Sequence, residues 1–155
     1  QYATKVTPFV SYWMHIGTVT LDGEKMSKSL GNLVKVSELL AVGHTPNAIR
    51  LSLLNTHYRT EHPWDAAQLD YCEEQVSLLQ HAAYNSGGPP DQLRVQPQRN
   101  EFMNAMDDDL NTPRAIEILL TIANDLEAGR LDATTAGPTL IELSSVLGLQ
   151  LGQEN

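Results

Sequence analysis

Cysteine is almost missing from this chain: Cys72 stands alone among 155 residues. No disulfide can close within it, and no cluster of thiolates can hold zinc. In "LDYCEEQVSLL" the thiol falls in a helical pattern with nothing nearby to lower its pKa, which predicts a packed side chain. Long apolar runs are lacking too, so no stretch approaches a membrane span. The opening "QYATKVTPFV" has neither a starting Met nor the charged-then-apolar layout of a signal peptide. A trimmed or excised piece with a cytoplasmic home is the expectation.

Basic side chains become scarce along the chain. Residues 1–62 carry six of them (Lys5, Lys25, Lys28, Lys35, Arg50, Arg59) against four acids, net +2. Residues 63–155 carry four against fifteen, net −11. That asymmetry predicts two units with different partners. The acidic part should repel phosphate backbones, so nucleic acid could touch it only locally. With 41% hydrophobic residues the composition is otherwise that of an ordinary globular protein.

"PFVSYWMHIGTVTL" is rich in Val, Thr and aromatics and reads as one strand or two short ones. The glycine and charge run from 22 to 32 breaks it as a loop. Helical patterns fill the rest. "VSELLAVG" has Ser37 as a candidate cap and Gly43 as its stop, and "TPNAIRLSLLNTHY" has Thr45 as cap with Pro46 at the first position. "HPWDAAQLDYCEEQVSLLQHAAYN" places Trp64, Leu69, Val76, Leu79 and Ala83 on one side, leaving Asp70, Glu73 and Glu74 to face water. "SGGPPDQLRVQPQ" reads as a linker or surface loop. "NEFMNAMDDDL" predicts a short helix. "NTPRAIEILLTIANDLEAG" predicts a long one capped by Thr112 and stopped by Gly129, and a last helix runs from about Thr134 to Leu147.

Within "DGEKMSKSLGN", Lys25 and Lys28 alternate with Ser27 and Ser29, and Gly23 and Gly31 free the backbone on both sides. Without its order, such a pair is a solvated surface turn. The order suits a loop that closes over a polyphosphate, where flexible ammonium groups neutralise charge as pyrophosphate departs. The spacing is not that of a P-loop.

Lys25-Met26-Ser27-Lys28-Ser29 matches the KMSKS motif of class I aminoacyl-tRNA synthetases, and "YWMHIGTVTLDGEKMSKSLGN" resembles the cysteinyl branch of that family. The likeness continues through "AIRLSLLNTHYR" at 48–59 and "MDDDLNTPRA" at 106–115. It implies a mostly α fold: a short β segment and the KMSKS loop from the end of a Rossmann-like catalytic domain (residues 1–44), then a helical tRNA-stem-contact, DALR-like bundle (residues 45–155). Lys28 would contact the ATP phosphates and stabilise the adenylation transition state, with Lys25 assisting. Ser27 and Ser29 would shape the loop, and Met26 would lie near the adenine. ATP with Mg, cysteine and tRNA(Cys) are the partners implied for the intact enzyme. The family's His-Ile-Gly-His motif and its zinc ligands would lie upstream, on an N-terminal half with which this stretch could associate, and an anticodon-binding segment would lie beyond Asn155. This chain alone should show no ATP–pyrophosphate exchange.

"HIGT" at 15–18 imitates the missing motif, but its place before the lysine loop marks it as a decoy. His15 is either a nucleotide contact or a strand histidine held by hydrogen bonds. His57 and Arg59 fall where cations favour a helix C-terminus, and His62 and His81 read as surface residues. "DDDL" at 107–110 could share a divalent ion or suit the positive end of the helix behind it. Three functions stay open: part of a cysteine–tRNA ligase, a cysteine ligase with an amino-sugar acceptor as in mycothiol biosynthesis, and a non-catalytic paralogue or fragment.

Overall fold

The computed structural model describes residues 7–84 and 94–152. The Gly-Gly-Pro-Pro linker lies outside them. The chain is mostly helical, with a small sheet near its start.

Strand β1 (Val19–Leu21) turns through Asp22 and Gly23 into β2 (Glu24–Lys25), with Leu21 opposite Glu24. Both turn residues have positive φ, 53° and 80°, as a two-residue primed turn requires. The lysine run therefore begins inside a hairpin, and the loop expected from 22 starts only after Lys25. Asp-Gly between extended segments is the local signal for it.

Strand β3 (His62–Pro63) joins the other edge in parallel, giving the order β2-β1-β3. His62 N–H donates to the Thr18 carbonyl at 3.2 Å and Trp64 N–H to the Thr20 carbonyl at 2.7 Å. Pro63 fits because its missing N–H would point away from β1. This pairing corrects the helical reading of "HPW". Residues 62–64 stay extended, and Trp64 packs on the core from outside the helix. The segment from 7 to 18 carries no regular structure, so the strand reading holds only for its end.

Helix α1 (Val36–Ala41) is capped by Lys35 rather than Ser37. Gly43, at φ 106°, ends it as expected. Helix α2 (Pro46–Leu54) starts as its sequence predicts, with the Thr45 hydroxyl accepting from Ala48 N–H at 3.1 Å. Glu73 does not face water. Its carboxylate accepts from the Thr45 N–H and hydroxyl, both at 2.7 Å, and ties α2 to α3 (Ala66–Tyr84). Cys72 is fully buried there, accepts from the Asn55 amide at 3.4 Å, and has its pKa raised chiefly by burial.

Helix α4 (Gln96–Asp107) begins earlier than its pattern suggests, with Pro97 in the first turn. Helix α5 (Thr112–Glu127) is capped by Asn111, whose side chain accepts from Arg114 N–H. Thr112 is instead its first helical residue and donates its hydroxyl to the Leu54 carbonyl at 2.8 Å. Helix α6 (Ala133–Val146) starts at Asp132, which accepts from the N–H and hydroxyl of Thr134.

Helix α5 is the centre of the bundle. Ala115, Ile116, Ile118, Leu119, Ile122, Ala123 and Leu126 are buried at helical spacing, and α3, α4 and α6 pack around it. Gly137 lets α6 approach α3, since a side-chain carbon there would lie 2.8 Å from the Ala83 carbonyl oxygen. From 7 to 47, by contrast, no residue is buried. The sheet and lysine loop lie outside that buried core.

Candidate functional site

The lysine loop is a short arch closed by one side chain. Asn32 accepts from Ser27 N–H through Oδ1 at 2.9 Å, and its Nδ2 donates to the Lys25 carbonyl at 3.4 Å. One amide thereby ties the chain leaving the loop to the strand that enters it. The sequence reading passed over Asn32, although its place directly after Gly31 was the available signal. Inside the arch, the Ser27 hydroxyl accepts from Leu30 N–H at 3.3 Å and lies 3.2 Å from the Ser29 hydroxyl. Gly31 closes the turn at φ 68°, its N–H on the Lys28 carbonyl.

The serines are thus occupied with the backbone and with each other, whereas the lysines project. Lys25 and Lys28 are exposed, and among the described residues neither ammonium group has a partner. Lys28 lines a cleft of about 430 Å³ with Gly31, Leu33, Lys35 and Glu38. Met26 is half-buried. An unpaired cation on a long flexible stem beside an open cleft can follow an anion that enters.

His15 lies on the exposed segment before β1, with no hydrogen bond or ion pair among the described residues. The His-Ile-Gly-Thr run opens no helix. Gly17 donates to the Tyr58 carbonyl at 2.7 Å, so close that a side-chain carbon at 17 would collide with the Thr60 carbonyl.

His57 and Arg59 do not cap α2, which ends at Leu54. They meet Asp109 instead. Arg59 holds the Asp109 carboxylate through Nε at 2.6 Å and a terminal nitrogen at 2.9 Å, Tyr58 donates its hydroxyl at 2.6 Å, and His57 Nε2 lies 3.0 Å from the Asp109 carbonyl. The hydrogen bonds from Arg59 and then Tyr58 hold the Asp109 carboxyl well below the usual range. The acid is therefore spent on a link between segments, not on the end of α5. His62 is half-buried, not a surface residue, and its Nδ1 is buried without a partner. His81 is exposed as expected and pairs with Glu127 at 2.8 Å.

No three His, Cys, Asp or Glu side chains among the described residues are grouped to hold a metal. Cys72, the sole thiol, is buried with its pKa raised. The described residues do not fit a zinc site. Among the described residues no helix is long and apolar enough to cross a membrane.

The chain that carries this lysine arch belongs to the class I tRNA synthetases: the family model for their class I (C) catalytic domain matches residues 1–80. A DALR domain model matches residues 101–152. Among curated relatives the chain is similar to cysteine–tRNA ligases. It is 39% identical to that of Methylococcus capsulatus, over 91% of this chain and 32% of the relative, and 40% identical to that of Alkalilimnicola ehrlichii, over 92% and 32%. It is also 37% identical to the L-cysteine:1D-myo-inositol 2-amino-2-deoxy-alpha-D-glucopyranoside ligase of Stackebrandtia nassauensis, over 97% of this chain and 34% of that one. The chain spans about a third of the length of these relatives.

Proposed function

We propose that this chain supplies the phosphate-gripping loop and the helical domain of a cysteine–tRNA ligase. In the intact enzyme an oxygen of the cysteine carboxylate attacks the α-phosphorus of ATP. The bond from that phosphorus to the bridging oxygen of the β-phosphate breaks, and pyrophosphate leaves with the electron pair. The cysteinyl group then passes to a terminal ribose hydroxyl of tRNA(Cys), releasing AMP.

Lys28 carries the reading, because it is exposed at the crest of the arch, unpaired among the described residues, and beside the cleft. Its ammonium would neutralise the departing pyrophosphate, with Lys25 supporting from the strand end. Ser27 and Ser29 would hold the arch in shape, Met26 would present its backbone to the adenine, and His15 is a further candidate for the nucleotide. Mg would accompany ATP as part of the substrate. We place the end of the catalytic fold at residues 1–44 and the helical stem-contact domain at 45–155. Among the described residues none before Ala48 is buried, which supports that division by packing, while the catalytic-family match itself continues to residue 80.

An amino-sugar acceptor is the second reading, favoured by the 37% identity to the inositol-glucosamine ligase. Cysteine-dependent ATP–pyrophosphate exchange on the full natural polypeptide, followed by transfer to tRNA or to the amino sugar, separates the two. Lys28→Ala should slow exchange by about 10²–10³-fold while leaving the melting temperature unchanged. An exchange rate equal to wild type would remove Lys28 from the site.

A further inference from the structure

We propose that Lys35 is a second phosphate-gripping cation of the lysine cleft, held by Glu38 until a polyphosphate enters. The inference rests on the reading of the loop as a nucleotide-phosphate site and extends it to a residue outside the KMSKS run. Lys28 and Lys35 line the same cleft of about 430 Å³, with Gly31 and Leu33 between them and Glu38 at its side.

Local helix chemistry gives no reason for a lysine at 35. The residue is the N-cap of α1 and makes no side-chain cap bond. That position favours Ser, Thr, Asp or Asn, whose oxygens accept from the first N–H groups. A cation there also meets the positive end of the helix, which is unfavourable. The only local compensation is the exposed pair with Glu38 one turn on, which is worth little, and positions that break a local rule so weakly compensated are where function is expected.

Packing gives no reason either. The side chain of Lys35 is 61% exposed, and α1 buries none of its residues. Its one ion pair, to Glu38 Oε1 at 2.7 Å, joins two side chains that are each 61% exposed, so water screens it. Such a pair keeps the ammonium near the cleft without locking it there. A polyphosphate presents several charged oxygens at once and makes stronger charge-assisted bonds than one exposed carboxylate. With Lys28 and Lys35 positive and Glu38 negative, the cleft has a formal net charge of 2 − 1 = +1. Glu38 thus limits how tightly an anion is held, which lets pyrophosphate depart.

Calorimetric titration of inorganic tripolyphosphate into the full natural polypeptide tests this, alongside the ATP KM and kcat of cysteine-dependent exchange. Lys35→Ala should weaken tripolyphosphate binding and raise the ATP KM by about tenfold, with a smaller change in kcat, and Lys35→Arg should restore most of the loss. Glu38→Gln should tighten tripolyphosphate a few-fold. Lys35→Ala binding within about twofold of wild type, while Lys28→Ala binds poorly, would overturn the role of Lys35 and leave the loop reading intact. Unchanged binding in Lys28→Ala would overturn the loop reading and this inference together. Melting curves matching wild type keep these outcomes separate from loss of fold.

Discussion

Asp109 occupies a backbone conformation that few side chains accept. Its φ is 52°, and Leu110 follows at 54°, two left-handed non-glycine residues in succession. The carboxylate offsets that strain by accepting from Tyr58 and from two nitrogens of Arg59. Because these bonds hold the folded-state pKa below the unfolded value of about 3.9, their stabilisation is present above that value and is lost as pH falls beneath it. Asp109→Asn keeps the left-handed preference but removes the charge. Its urea midpoint should fall below wild type at neutral pH, and the gap should narrow progressively as pH falls below about 4. A gap independent of pH would mean that the Arg59 pair does not stabilise the fold. None of this was legible locally, since Arg59 and Asp109 are brought together across most of the helical region.

Among elements, the three-stranded sheet depends on one close backbone approach. Gly17 bonds to Tyr58, and the strands continue through Thr18 and Thr20 to His62 and Trp64. Gly17→Ala must push β1 away from the 58–61 segment and should destabilise the fold by about 1–3 kcal/mol, by the usual cost of overpacking. Slower-exchanging amides at His62 and Trp64 should become fast in the variant by hydrogen exchange. Protection equal to wild type at both would refute the parallel pairing. The helices were easier to read. Thr45-Pro46 opens α2 and Gly129 follows α5 at φ 64°, each a signal within a few residues of the boundary it marks. Strand β3 carries no such signal, because its two residues are extended only through bonds to a strand some forty positions earlier.

Over the whole molecule, burial among the described residues is confined to the helices, the turns between them and the stretch that follows α6. Phe102 on α4 is fully buried with Leu119 and Ile122 of α5 and Leu140 and Leu143 of α6. Phe102→Ala should lower the unfolding free energy by about 3–5 kcal/mol, measured by urea denaturation followed by circular dichroism. A loss under about 1 kcal/mol would put the ring outside the core. The region ahead of Ala48 contributes little to that core and leaves Tyr12, Trp13 and Ile16 largely exposed. A loop that closes over a substrate belongs on such a loosely held part, since closure there disturbs no packed side chains.

Most helix positions, the Thr45 cap and the lysine run could be read from residues alone, because each follows from neighbours a turn or two away, whereas the caps at Lys35 and Asn111 fell one or two positions from those expected. The order Lys-Met-Ser-Lys-Ser also pointed to phosphate chemistry, through the spacing of its charges and glycines. What required the folded chain was every contact made across distance: the Asn32 tie, the cleft shared by Lys28 and Lys35, the β1–β3 pairing and the Asp109 link. Hydrogen bonds and charges act over a few ångströms in space, and no local pattern states which distant residues will come within that range.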